Sequence, residues 1–265
     1  GVRTSNHGWS CPSSKFQKSA NSSRSGPTPR SIMNVISLVP SVTETLSAWD
    51  VTPIACTKYC ERPDLHHVGG TKNPEVESIV ALAPDLVVVD VQENRLEDYA
   101  TLTDAGLNVL ALDVVSLETM NVDLQRLAEA VGHEHPVGEV PQVVPLNQRA
   151  FVPIWRRPWM SIGADTFGSR LLEAMGVTNI CSEMGSNYPE IDLATVTDMQ
   201  PDLIIIPSEP YEFDDAHFEE FANIAPAVRV DGRDLFWWGV RTPEAMLRLH
   251  EQLALISPRS AKMAD

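Results

Sequence analysis

The stretch "PDLVVVD" runs from Pro84 to Asp90, and "PDLIIIP" runs from Pro201 to Pro207, 117 residues later. The likeness extends upstream. Val76, Ile79, Val80 and Pro84 stand at the same spacing as Leu193, Val196, Thr197 and Pro201. Each copy is a short helical pattern, then Pro-Asp, then an apolar and mostly β-branched run. A continuous apolar run of that length is expected as a strand buried on both faces, the mark of a parallel sheet covered by helices. A phrase that repeats with its helix before and its strand after predicts two similar halves.

The rest of the chain follows the same alternation. Strand Val35–Val39 precedes helix Ser41–Trp49, and strand Ile54–Thr57 leads into a long loop through Gly69-Gly70. Helix Pro74–Leu82 precedes strand Leu86–Val89, helix Leu96–Ala105 precedes strand Val109–Leu112, and helix Leu117–Val131 follows. "GHEHPVGEVPQVVPLNQ", from Gly132, interrupts with three prolines and two glycines. The second half resumes with strand Ala150–Ile154, a hairpin-like return at Met160–Ile162, helix Phe167–Met175, strand Leu203–Ile206 and a last helix Pro243–Leu255. This predicts an α/β fold of two lobes, each with a mainly parallel sheet flanked by helices. The lobes are expected at 33–116 and 150–258, with an inter-lobe helix and linker at 117–149 and a tail at 259–265.

Composition bounds the function. The chain has 265 residues, 43% of them hydrophobic, enough for two lobes of about 110 to 130 residues. No run of about 18 apolar residues occurs, so no membrane span is expected. A net charge of −16 argues against a nucleic-acid partner, which needs clustered Lys and Arg. Of the four cysteines, Cys56 and Cys60 are four apart with no second close pair, which argues against a zinc site of four thiolates. Free thiols are expected, and they fit a reducing compartment. Residues 1–32 are Ser-rich and basic and read as a disordered extension without the apolar core of a secretory signal. Met33 as a natural start predicts a cytoplasmic protein; the alternative is an exported one whose signal or lipid anchor has been removed. A monomer is expected.

Ligands in open parallel sheets sit beyond the carboxyl ends of the strands, and two such lobes facing each other would form a cleft. The first lobe then offers Pro40 and Ser41 in "VPSVTE", Tyr59 and Cys60 in "TKYCERP", Gly70, Thr71 and Lys72 in "HHVGGTKNP", and Asn94 and Arg95 in "QENR". The second offers Trp155, Arg156, Arg157 and Trp159 in "IWRRPWM", Glu209 and Tyr211 in "SEPYEF", and Trp237 and Trp238 in "DLFWWG". Four of six tryptophans in two loops suit either a ligand wall or a plug for the seam between lobes. Ser41 with Glu44 has the form of a capping box, and a capped helix start can also receive a ligand oxygen. Cys60, His66 and His67 are candidate ligands for a metal or a corrinoid cobalt. The arginines suit a ligand's carboxylates or amides, or ion pairs with Glu93, Glu97 or Asp165. No GxSxG, HExxH, GxxxxGK[ST] or convincing GxGxxG motif occurs, so no catalytic residue or catalytic cofactor is assigned.

"VISLVPSVTETL", "GGTKNPEVESIVALAPDLVVVD" and "ENR" resemble the first lobe of class III periplasmic binding proteins, the helical-backbone metal receptors. "IWRRPWMSIGADTFGSRLLEAMGVTNI" and "DLFWWGVRTPEAM" resemble parts of the second lobe, and the likeness covers roughly residues 34 to 256. "GGTKNP", "ENR" and "IWRRPWM" are most similar to a leaderless, cobalamin-binding-protein-like subgroup. The resemblance implies two lobes joined by one helix, a ligand cleft between them, and cobalamin or a related metal chelate as ligand. Its alternatives are a ferric siderophore or haem taken up through an ABC system, and an enzyme acting on a corrinoid-type ligand through Cys60 or Glu209. It also implies an ABC permease as partner, docked through a Glu on each lobe. Glu77 matches the first such position, and Ala194 stands at the second.

Overall fold

The computed structural model describes residues 33–134 and 139–256. The expectations for residues 1–32 and for the tail at 259–265 lie outside them. The chain divides into two compact units, Gly1–Leu112 and Asp113–Asp265.

The first unit runs β1 (Val35–Ser37), α1 (Pro40–Ala48), β2 (Ala55–Cys56), β3 (His66–His67), the hairpin β4 (Gly69–Gly70) and β5 (Asn73–Pro74), α2 (Val76–Ala81), β6 (Leu86–Asp90), α3 (Leu96–Asp104) and β7 (Val109–Leu112). Its five-stranded sheet has the order β3-β2-β1-β6-β7, and every pairing in it is parallel. Ile36 sits opposite both Ala55 and Val87. With Leu38, Val68, Ile79, Val89 and Leu102 these residues form the core.

The second unit runs α4 (Leu117–Val131), β8 (Gln148–Phe151), β9 (Pro153–Trp155), β10 (Met160–Ser161), α5 (Phe167–Ala174), β11 (Val177–Asn179), α6 (Leu193–Asp198), β12 (Leu203–Pro207), α7 (Asp215–Phe221), β13 (Ala227–Val230), α8 (Gly232–Phe236) and α9 (Thr242–Ala254). Its parallel sheet has the order β11-β8-β12-β13, and β9 and β10 pair separately as an antiparallel hairpin. Ser116 caps α4 by accepting from the Thr119 N–H at 3.1 Å. Gly132 at φ 70° ends that helix in the left-handed conformation, which glycine adopts at no steric cost. No helix of the described residues is long and apolar enough to cross a membrane.

The repeated phrase is a repeated device. The helices α2 and α6 have six residues each, the strands β6 and β12 five each, and all ten strand residues are buried. Between helix and strand, Ala83 (φ 44°) and Gln200 (φ 51°) both take the left-handed conformation, and the proline that follows cannot continue the helix. The aspartate then clamps the next strand over. Asp85 N–H donates to the Asn34 carbonyl at 2.8 Å, and its Oδ2 accepts from Asn34 N–H at 2.8 Å. Asp202 makes the same pair with Arg149, at 2.8 Å and 2.7 Å. Each Pro-Asp thus stops a helix and sets the parallel register of the strand beside it.

Three local expectations are corrected. The first helix starts at Pro40, not Ser41, because the fixed φ of proline suits the first helical position. Val39 is therefore the N-cap and makes no side-chain cap bond. The expected Ser41–Glu44 capping box does not form, and Ser41 Oγ is buried without a hydrogen bond. The second helix starts at Val76 instead of Pro74, because Asn73 and Pro74 pair with Gly69 and Gly70 in a hairpin. His66 and His67 form an exposed edge strand instead of lying in a loop.

Candidate functional site

In the first unit, Asn94 ties three loops together. Its Oδ1 accepts from the Asp90 N–H at 2.8 Å, and its Nδ2 donates to the carbonyls of Leu38 at 3.2 Å and Thr71 at 2.9 Å. Asn94 is itself buried, so its role is to position the loops after β1 and β6 and the turn between β4 and β5. Lys72 Nζ donates to the Gln92 carbonyl at 2.9 Å, and desolvation of the ammonium pulls its pKa below the ordinary lysine value. Tyr59 is exposed, at 55%. It lies so close to Gly70 that a Cβ there would meet its Cε2 at 3.0 Å. Arg95 is bridged to Asp98 by bonds of 2.9 Å and 3.0 Å. Pro40 is buried in the first turn of α1.

The expected metal trio does not assemble. Cys60 is buried, with its sulfur 3.1 Å from Thr43 Oγ1 and 3.4 Å from Thr57 Oγ1. His66 and His67 are exposed, and His67 Nε2 bonds to the Arg62 carbonyl at 3.1 Å. Among the described residues, no three His, Cys, Asp or Glu side chains group so as to hold a metal ion.

In the second unit the four tryptophans separate into two pairs. Trp155 and Trp159 flank the tight turn of the β9–β10 hairpin, where Arg157 is exposed at φ 70°. Trp155 is half-exposed, at 46%, and meets Tyr211 edge-on with ring centroids 5.2 Å apart. Tyr211 touches Phe213 at 4.7 Å, Phe213 stacks on Trp159 at 6.0 Å, and Trp159 reaches Phe221 of the core at 5.2 Å. The exposed aromatic pair is therefore backed by rings that run into the core. Arg156 lies over the Trp159 ring and pairs with Glu220 at 2.7 Å.

The loop that carries Tyr211 is held by the start of α7. His217 N–H donates to Asp214 Oδ1 at 3.1 Å, and Asp214 N–H donates to His217 Nδ1 at 3.0 Å. The His217 N–H holds the Asp214 carboxyl below the usual carboxylate range. The His217 ring meets both Tyr211 and Phe213 edge-on. A hollow of about 270 Å³ opens beside this loop, lined by Pro207, Ser208, Pro210, Glu212, Phe213 and Arg229. Neither Phe213 nor His217 was singled out from the sequence. The Asp-x-x-His spacing after an apolar strand was the available signal for the cap.

Trp237 and Trp238 were expected at a strand end. They instead follow helix α8 and are buried, Trp238 to 2% exposure. Trp237 Nε1 donates to Glu209 Oε1 at 2.8 Å, and Arg241 lies over its ring at 5.3 Å. Glu209 and Trp237 are thus committed to each other. A Cβ at Gly232 would meet Glu209 N at 2.8 Å, so only glycine lets the two loops approach this closely.

Comparison with known proteins follows the same lines. A sequence model of the periplasmic binding protein family matches residues 35–229. The vitamin B12-binding protein of Salmonella paratyphi A is 26% identical over 189 residues, which are 65% of this chain and 71% of that one. In fold, the chain is similar to the periplasmic vitamin B12 binding protein BtuF of Vibrio cholerae, with TM-score 0.66 and 18% identity over 85% of this chain and 98% of that one. It is also similar to a periplasmic heme binding protein from Pseudomonas aeruginosa, with TM-score 0.68 and 17% identity over 86% of this chain and 95% of that one.

Proposed function

We propose a function from one premise: this chain belongs to the periplasmic binding protein family. It is a solute-binding protein, and its solute is a bulky metal chelate of the tetrapyrrole kind, a corrinoid first. The observation that carries this reading is the half-exposed Trp155–Tyr211 pair with its aromatic backing. Rigid rings cover a large flat ligand at low entropic cost. Tyr59 of the first unit is a second exposed ring of the same kind. The vitamin B12-binding relatives support the corrinoid, and the heme-binding structural neighbour keeps haem as the alternative. An anionic ferric siderophore has less support, because two of the three arginines it would use, Arg95 and Arg156, already pair with Asp98 and Glu220, which leaves it the exposed Arg157. The proposed partner is an ABC permease, approached through Glu77 in the exposed first turn of α2.

The test is a titration of the full chain with cyanocobalamin, read by tryptophan fluorescence and by equilibrium dialysis of the coloured ligand. Saturable binding of one corrinoid per chain, with quenched fluorescence, is the expected result. Saturable binding of haemin or a ferric siderophore, with none of cyanocobalamin, would replace the corrinoid reading.

A further inference from the structure

We propose that the hollow at the end of β12 binds a free α-amino acid with an apolar side chain, at a site separate from the aromatic wall. The hollow has a volume of about 270 Å³ and is lined by Pro207, Ser208, Pro210, Glu212, Phe213 and Arg229. That is just below the range of about 300 to 1,000 Å³ typical of drug-sized ligands. Its walls do not include Trp155 or Tyr211. It lies where Pro207 ends β12, and parallel sheets offer ligand sites beyond the carboxyl ends of their strands.

The walls are held by the fold itself. Ser208 N–H donates to the Val230 carbonyl at 3.0 Å, and Ser208 Oγ accepts from the Gly232 N–H at 3.0 Å. These bonds tie the loop after β12 to the end of β13. Phe213 is buried and stacks on Trp159. Arg229 of β13 lies over the Phe218 ring, 4.7 Å from its centroid, and its Nη2 donates to the Phe213 carbonyl at 3.2 Å. The guanidinium is thus placed on the hollow by an aromatic face and a backbone oxygen.

The charges on the hollow are not spent on each other. Among the described residues, Arg229 pairs only with Asp215, at 3.4 Å, and that aspartate is fully exposed. A long pair of this kind contributes little and yields readily. Among the described residues both hydrogen bonds of Arg229 use Nη2. Once Asp215 is displaced, Nη2 and a neighbouring N–H form the fork that a carboxylate takes in two parallel bonds. Glu212 is exposed and makes no hydrogen bond or ion pair among the described residues. Ser208 accepts at Oγ and keeps its hydroxyl proton to give. A cation and a carboxylate that share one small hollow without pairing match a ligand that carries both charges. Its carboxylate goes to Arg229 and Ser208, its ammonium to Glu212, and its side chain to Pro207, Pro210 and Phe213. A zwitterion also escapes the repulsion that a chain of net charge −16 exerts on an anion.

The test titrates the full chain with L-leucine, read by calorimetry and by saturation-transfer NMR. N-acetyl-L-leucine, which lacks the ammonium, and L-leucinamide, which lacks the carboxylate, are titrated beside it. Saturable binding of one L-leucine per chain is expected. Each derivative should bind about tenfold more weakly or worse, because a hydrogen bond to a charged group is worth about a decade or more. Arg229→Gln should weaken L-leucine binding by a similar factor. Glu212→Gln should do the same with an unchanged melting temperature, since its exposed side chain holds nothing else in place. The proposal falls if L-leucine does not bind saturably, if N-acetyl-L-leucine or L-leucinamide binds as tightly as L-leucine, or if Glu212→Gln keeps the parent affinity. The derivatives and the Glu212 variant decide it even if Arg229→Gln, which also frees the Phe213 carbonyl, does not fold.

Discussion

Asp85 and Asp202 do two jobs with one residue type. Each donates its own N–H to the neighbouring strand and accepts that strand's N–H on its carboxylate. Loss of the side-chain bond leaves a strand-end N–H without its charged acceptor, which costs about 1 kcal/mol for a bond near the surface. Asp85→Ala and Asp202→Ala should each lower the urea midpoint with an unchanged slope, and Asn at either position should lose less. Unchanged midpoints would show that the clamp does not set the register. Asp231 makes a different prediction. It is the N-cap of α8, and its carboxylate takes the Arg233 guanidinium at 3.1 Å and 2.8 Å and the Arg233 N–H at 2.9 Å. The guanidinium, first among these, holds its pKa below the ordinary value. A depressed folded pKa contributes stability that is present above the unfolded value, about 3.9, and is lost as pH falls through the folded one. Thermal midpoints should therefore begin to drop below about pH 4, and less steeply in Asp231→Asn than in the parent chain. Equal slopes would assign the acid limb to other carboxylates.

The elements legible in the sequence were those with a single dominant signal. β6 and β12 are buried on both faces, so their apolar runs are unbroken, and α4 has a Ser cap before it and a glycine after it. Strands β11 and β13 were not read. They are three and four residues long, and each carries an exposed polar residue, Thr178 and Arg229. Helix α8 has five residues, too few to show a periodicity, and missing it put Trp237 and Trp238 at a strand end. The aromatic loops themselves were legible as clusters of rings. Which rings are covered depends on partners far apart in sequence, as Glu209 is from Trp237. The two tryptophan pairs now predict opposite phenotypes. Trp238→Ala empties a site in the core and should cost about 3 to 5 kcal/mol, with affinity per folded molecule retained. Trp155→Ala removes a half-exposed ring and should leave the melting temperature nearly unchanged. If the ligand lies on that ring, the lost contact is worth about 1.5 to 3 kcal/mol, a ten- to hundredfold weaker affinity. Calorimetry and ligand titration on both variants test the assignment, and a Trp155 variant with lost stability and intact affinity would overturn it.

At the scale of the whole molecule, charge and linkage separate the candidate solutes. The chain carries −16, and a net charge of that size repels an anionic chelate at low salt. Of the arginines that could offset it locally, Arg95 and Arg156 are bridged to Asp98 and Glu220, and Arg157 is exposed on the β9–β10 turn. A corrinoid that docks through ring contact meets no such barrier. A solute that binds only the folded chain stabilises it by about 2.7 kcal/mol at a concentration one hundred times its Kd. For a protein of this size that corresponds to a rise in melting temperature of about 5 to 10 °C. Each of the two units has a core of its own, so two unfolding transitions are expected, and the one that moves identifies the unit bearing the contacts. Cyanocobalamin should raise the transition of the second unit, which carries Trp155 and Tyr211, and the rise should vary little with salt because ring burial is not screened. A ferric catecholate should leave both transitions in place at low salt. A rise with the catecholate that grows weaker with added salt would reverse the assignment, because it would show the anion taken up by cations, Arg157 or those that the present ion pairs release on binding.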